Sequence, residues 1–248
     1  SVGFENYNTA LELNGINDYY EVQDHENLNL SDNNKKTIEV FFETSNDITS
    51  RQVLYEEGGA TNGLNVYIYN SQLYYGAYSK SNGWDFTSVE ANINTNTKYR
   101  ATLVFDSTTD KLIGYLNNKK VGEKNNIGIL RHHSDNIGIG GKVSDTVVES
   151  GSQTDKNEYF FKGKLYEVRN WYEKALTYKE IVNTPGNSLG GNESSLEALW
   201  LAEGSNEIIL KDHSGNGHNG KNNWKYSLDL NNDYIAINDN YSSSQNSF

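Results

Sequence analysis

The chain has 248 residues, a formal net charge of −12, 18 Tyr, 22 Gly, one Pro and neither Cys nor Met. That charge argues against nucleic acid and anionic membrane surfaces as partners, since both would repel the chain, and the lack of Cys excludes disulfides and thiol chemistry. No stretch approaches the ~18 apolar residues a membrane span needs, while 12% aromatic residues is far above what disordered chains carry.

In chain order, Ala10–Val22 alternates, turns at Asn14-Gly15 and alternates again, the mark of paired half-buried strands. Thr37–Glu43 reads as a strand with Ile38, Val40 and Phe42 on one face and Glu39, Phe41 and Glu43 on the other. Gln52–Tyr55 reads as a short strand running into a loop at Glu56–Gly59. Leu64–Tyr69 and Gln72–Tyr78 pair as a hairpin across Asn70-Ser71, and Lys98–Asp106 with Lys111–Leu116 across Ser107–Asp110. Asn117–Lys119 turns the chain into Lys120–Glu123. Ile127–Ile139 carries a further strand or two, with His132 and His133 in a turn, and Ser144–Glu158 reads as a long polar loop. Tyr159–Trp171 is a long strand, and Tyr178–Asn183 is the one helical turn. Short strands spaced by turn signals predict an antiparallel sandwich, not a parallel sheet.

After Pro185 comes a Gly/Asn/Ser linker, and then the chain repeats itself: SLDLNNDYIAI (227–237) matches ALELNGINDYYEV (10–22) with two residues lost at the turn. A repeat of this kind suggests a tandem array on a longer protein, and Ser1-Val-Gly-Phe reads as a mature or excised start. Two partitions follow. Residues 1–184 form a nearly complete unit with 196–248 a fragment of its neighbour, or 1–225 form one sandwich with 226–248 opening a second copy. The second is favoured, because Ala198–Leu201 and Ile208–Leu210 would otherwise leave apolar edges exposed.

The segment 163–181, GKLYEVRNWYEKALTYKEI, resembles the closing strand and helical turn of laminin-G/pentraxin-like domains, with Tyr166 standing where the family carries Asp. LEALWLAEGSNEIILKDHSGNGHNG (196–220) is similar to another segment of the same family. The resemblance implies an all-β, two-sheet antiparallel jelly roll of concanavalin A type, with one short helix after the strand bearing Trp171. It also implies an extracellular setting, frequent calcium, and glycans or proteins as ligands.

Three kinds of chemistry are conceivable. Tyr67, Tyr69, Tyr74 and Tyr78 share one face of their hairpin, with Trp84 and Asp85 on the following loop. Flat aromatic rings with polar edges suit stacking against sugar rings, although tyrosines at such positions also serve as half-buried sheet residues. For calcium, the turns around Asp18 and Asp212 combine carboxylates, amides and free carbonyls, the hard oxygen donors that ion prefers; the same residue types also simply make turns. For catalysis, Glu21, Asp24 and Glu26 have the wrong spacing for a glucanase carboxylate strand. Glu39 and Glu43 are only same-face neighbours, and His132-His133 has no Ser or Cys elbow nearby. The expectation is therefore a non-catalytic, calcium-stabilised carbohydrate-binding or adhesion module, extracellular or on a bacterial cell surface. It would be a monomeric unit of a longer chain, taking a glycan or polysaccharide, or a protein. The alternatives are a structural or protein-binding repeat of an adhesin and, less favoured, a divergent glycoside hydrolase.

Overall fold

The period-two alternation in the sequence becomes seventeen strands in the computed structural model, which describes residues 1–230. The first ten are β1 (Leu11–Asn14), β2 (Tyr20–Val22), β3 (Lys35–Thr44), β4 (Gln52–Gly58), β5 (Asn62–Tyr69), β6 (Gln72–Ser79), β7 (Trp84–Asn92), β8 (Lys98–Asp106), β9 (Lys111–Leu116) and β10 (Lys119–Lys124). Then come β11 (Ile137–Ile139), β12 (Thr146–Val148), β13 (Gly151–Gln153), β14 (Lys162–Tyr172), the helix α1 (Tyr178–Asn183), β15 (Leu196–Leu201), β16 (Ile209–Leu210) and β17 (Gly220–Lys221).

Two antiparallel sheets face each other as a jelly-roll sandwich. One has seven strands in the order β1-β14-β3-β8-β9-β10, with β15 also on β14; the other has eight, in the order β16-β17-β2-β11-β4-β5-β6-β7. The length of β14 has a simple use: its first residues pair with β1 (Leu165 opposite Leu11) and its last with β15 (Trp171 opposite Leu196). Leu196–Leu201 thus lies in the first sheet, while residues 209–210 and 220–221 extend the second. Between the sheets, Ile38, Val40 and Phe42 meet Leu64, Val66, Ile68, Leu73, Tyr75 and Trp200 in one core. Each fully buried apolar side chain of this kind contributes roughly 1.5–3 kcal/mol.

The outer face of the seven-stranded sheet is also covered. Strand alternation sends Glu167, Arg169 and Trp171 outward, and the last two meet Glu39 of β3: the Trp171 indole N–H donates to Glu39 Oε2 at 2.9 Å, and Arg169 and Arg100 form ion pairs with the same carboxylate. Arg169 also donates to the carbonyls of Thr184 and Pro185, both at 2.8 Å, and Arg100 to that of Ile181 at 2.7 Å. The closing-strand motif is therefore a clamp that fastens α1 and its exit to the sheet. Thr177 and Glu180 cap the start of α1 reciprocally, and Ile181 packs with Trp171, Leu176 and Leu199 beneath it.

Two local expectations are corrected. Glu56 and Glu57 belong to β4 and are buried, because buried partners replace the solvent that their polarity implied. The strand ends at Gly58, whose φ of +111° and approach to Asn62 leave no room for a Cβ. The stretch 127–139 contributes β11, in keeping with the one or two strands expected there, whereas Ser144–Glu158 is not a plain loop but carries the β12–β13 hairpin. Residues 228–230 are helical, whereas the matching residues 11–13 lie in β1, and the remainder of the proposed second copy, 231–248, lies outside the described residues. No helix among the described residues is long and apolar enough to cross a membrane.

Candidate ligand-binding site

The tyrosine face predicted as a sugar platform is roofed by the β12–β13 hairpin. Tyr67 and Tyr74 stack on each other, ring centroids 4.7 Å apart and planes within 5°. The Tyr67 hydroxyl donates to Glu149 Oε2 at 2.8 Å, and the Asn65 amide donates to the Val147 carbonyl at 2.8 Å. Tyr78 is fully buried and donates to the Gly59 carbonyl at 2.8 Å. Burial, with Glu149 beside the ring, pushes the Tyr67 phenol far above its ordinary pKa. Tyr69 stays half-buried, but the Arg51 guanidinium sits 4.2 Å from its ring centroid, so its stacking face is taken. The structure thus brings Tyr67, Tyr69 and Tyr74 together yet removes the open aromatic surface.

Trp84 is likewise corrected. It begins β7 instead of sitting on a loop, is 8% exposed, stacks on Phe105 at 6.0 Å and donates from Nε1 to the Ile129 carbonyl at 3.3 Å. Gly83, at φ +83°, reverses the chain just before it and aims the indole inward. Asp85, the next residue, is exposed.

Neither expected calcium ligand fits that ion. The Asp212 carboxylate already accepts four hydrogen bonds: Oδ1 from the Leu199 and Ser214 backbone N–H groups, both at 2.9 Å, and Oδ2 from the Ser214 hydroxyl at 2.8 Å and the His218 N–H at 2.9 Å. Its lone pairs are filled by donors, whereas Ca²⁺ requires six to eight converging oxygens. Asp18 accepts from Asn222 Nδ2 at 2.8 Å and pairs with the Lys225 ammonium at 3.2 Å, which holds the place a cation would take. The Asn14 side-chain oxygen is occupied by the N–H groups of Ile16, Asn17 and Asp18.

Where polar side chains do converge is the rim of the eight-stranded sheet, in two clefts of about 470 and 300 Å³ on either side of Ser134-Asp135. In the larger one, Glu21 of β2 accepts from Asn136 Nδ2 and Asn223 Nδ2, both at 2.6 Å, and so fixes two amides. Tyr19 flanks them, its ring against Phe160 at 5.5 Å, and Ser144, Lys156 and Asn157 form the opposite wall. Burial, with Asp145 nearby, raises the Asp135 carboxyl above its usual range. Near this wall Glu56 is fully buried: Oε1 accepts the Val143 N–H at 2.9 Å, Oε2 has no partner, and burial pushes its pKa to about 8.

The smaller cleft is rooted by Glu57, which pairs with Lys36 at 2.9 Å and His133 Nε2 at 2.7 Å. Burial opposes ionisation of Glu57, but Lys36 and His133 outweigh it and hold its carboxyl below the ordinary value. Sequence reasoning weighed Glu21 and His132-His133 only as catalytic candidates and set them aside, and it did not single out Asn136, Asn223 or Tyr19. The rim's contacts join residues 115 and 202 positions apart, and only the local Asn/Asp/Ser density of 134–136 and 155–157 signalled it.

A family model described as the concanavalin A-like lectin/glucanases superfamily matches residues 14–182. The chain belongs to this superfamily. No curated protein matches this member by sequence. Among solved structures it is similar to a Bacteroides ovatus protein described as a candidate carbohydrate binder, with a TM-score of 0.63 and 20% identity over 86% of this chain and 57% of the other. The chain thus spans little more than half the length of that protein. It is also similar to the CBM40 module of the Ruminococcus gnavus IT-sialidase bound to α2,3-sialyllactose, with a TM-score of 0.54, 15% identity and coverage of 72% and 96%. A SAP-like pentraxin from Limulus polyphemus gives a TM-score of 0.50 at 14% identity, covering 79% and 92%. At these identities the likeness is one of fold.

Proposed function

We propose that this concanavalin A-like domain is a non-catalytic carbohydrate-binding or adhesion module, secreted or displayed on a bacterial surface, and that a glycan occupies the rim cleft beside Asn136. The carrying observation is the pair of amides held in place by Glu21 at the mouth of an open polar cleft, with the edge of Tyr19 alongside. Amides fixed before binding lose little side-chain entropy when a sugar hydroxyl arrives. The descriptions of the Bacteroides ovatus and Ruminococcus gnavus proteins support the ligand class. Carboxylates that a hydrolase would need are otherwise engaged, Glu39 in its arginine clamp and Glu21 on its amides. The unit in question comprises residues 1–225, as one module of a longer chain.

A glycan array probed with the chain, with calcium and with chelator, tests this reading, and the two conditions register any calcium requirement located away from Asp18 and Asp212. Lys156→Ala and Asn157→Gly alter exposed side chains of the cleft, and glycine keeps the left-handed backbone of Asn157, φ +55°. Each is expected to weaken glycan retention on the order of tenfold while leaving the melting temperature unchanged. An array silent in both conditions favours a structural or protein-binding repeat, and retention undiminished in both variants places the glycan elsewhere.

A further inference from the structure

Away from the glycan cleft, three side chains from distant parts of the chain point their donor atoms at one spot. His25 follows β2, Glu197 lies on β15, and His218 precedes β17. His218 Nε2 is 2.7 Å from Glu197 Oε1; His25 Nδ1 is 3.8 Å from the same oxygen and accepts the Asn27 N–H at a long 3.3 Å, a bond that coordination would replace; and the two imidazole centroids are 4.5 Å apart. One donor atom from each residue lies within 4.8 Å of the others. Around a tetrahedral zinc with bonds near 2.0–2.1 Å, ligand atoms stand roughly 3.3 Å apart, so small side-chain adjustments bring this set to coordinating distance.

We infer that His25, Glu197 and His218 form a binding site for a first-row divalent metal ion of the zinc class. Two imidazoles and one carboxylate suit Zn²⁺, Ni²⁺ or Cu²⁺ and not the all-oxygen preference of Ca²⁺. The surroundings hold the ligands in place. The backbone N–H of His218 donates to Asp212 Oδ2 at 2.9 Å, and its carbonyl accepts the Trp200 indole N–H at 2.6 Å. Asn27 Nδ2 donates to the second Glu197 oxygen at 3.4 Å. Glu197 and His218 are buried, whereas the His25 side chain is 49% exposed, which leaves a coordination position open to water. A bound ion would tie the turn after β2 to β15 and to the segment leading into β17.

The test uses the whole chain, stripped with chelator and titrated with zinc chloride by calorimetry and by tryptophan fluorescence, since Trp200 reports on the His218 backbone. The expected result is one zinc per chain, a melting temperature that rises with zinc, and X-ray absorption showing two imidazole ligands at about 2.0 Å. His25→Ala removes a half-exposed side chain whose one hydrogen bond, from the Asn27 N–H, is long at 3.3 Å, and it leaves the fold intact, so it separates lost binding from lost folding even if His218→Ala unfolds. It should weaken zinc binding at least ~10-fold, while His132→Ala and His213→Ala leave it unchanged. Absence of stoichiometric binding, undiminished binding in His25→Ala, or loss in His132→Ala or His213→Ala overturns the proposal.

Discussion

Glu56→Gln offers the sharpest test of how the rim is built. Glu56 is fully buried, its Oε1 accepts backbone N–H groups of the 143–144 segment, and its Oε2 has no partner. Burial dominates its environment: the two backbone donors and Lys142 favour the anion, yet the pKa rises from 4.5 to about 8, with Asp135 adding to the rise. Between those values the folded chain holds a proton that the unfolded chain releases. The contribution is therefore complete below about pH 4.5 and disappears as pH rises through about 8, at about 1.4 kcal/mol per pH unit. Over the whole span the ceiling is about 5 kcal/mol. Glutamine mimics the neutral acid and cannot ionise, so it abolishes this slope.

Urea unfolding of both proteins, followed by circular dichroism from about pH 5 to about pH 9, isolates the effect, because every other titrating group is shared. Asp24 and Asp135, also raised chiefly by burial, cancel in the difference. Asp32 and Asp47, held down to about 2, act only at lower pH. The variant should gain on the parent by roughly 3–4 kcal/mol between about pH 5 and pH 8, then level off. Stability curves that stay parallel across the range refute the reasoning: Glu56 would then be ionised in the folded protein.

Trp84→Ala should cost about 3–5 kcal/mol and lower the melting temperature by roughly 10 °C, measured by thermal unfolding; an unchanged melting temperature would return Trp84 to the surface. Glu39→Ala leaves the Arg100 and Arg169 guanidinium groups buried without their carboxylate, a loss of about 3–5 kcal/mol that denaturant titration reads. Thr177→Ala removes half of the α1 capping box and should cost about 1 kcal/mol, with the loss read as faster hydrogen exchange across 178–183.

Much of the sandwich is legible in the chain because alternation is a local property. Ile38, Val40 and Phe42 share a face by position alone, and they meet Leu64, Val66 and Ile68 in the core. Alternation likewise set Tyr67 and Tyr74 on the opposite face, where they stack. What it leaves open is the cover on that second face. Val147, Val148 and Glu149, in a stretch that reads as a polar loop, fold over those tyrosines and bury them. Glu56 and Glu57 were misread for a related reason: a polar pair looks like a loop until distant partners such as Lys36 and His133 are seen to neutralise or bond it.

By itself the sequence determined the strand pattern, the sheet faces and the superfamily resemblance, since period-two side-chain placement and the Glu167–Arg169–Trp171 spacing act over a few residues. The tertiary structure alone decided which faces meet solvent and where polar groups gather. Asn136 reaches Glu21, and His25 comes beside Glu197, only because segments far apart in the chain are brought together by the closure of two sheets.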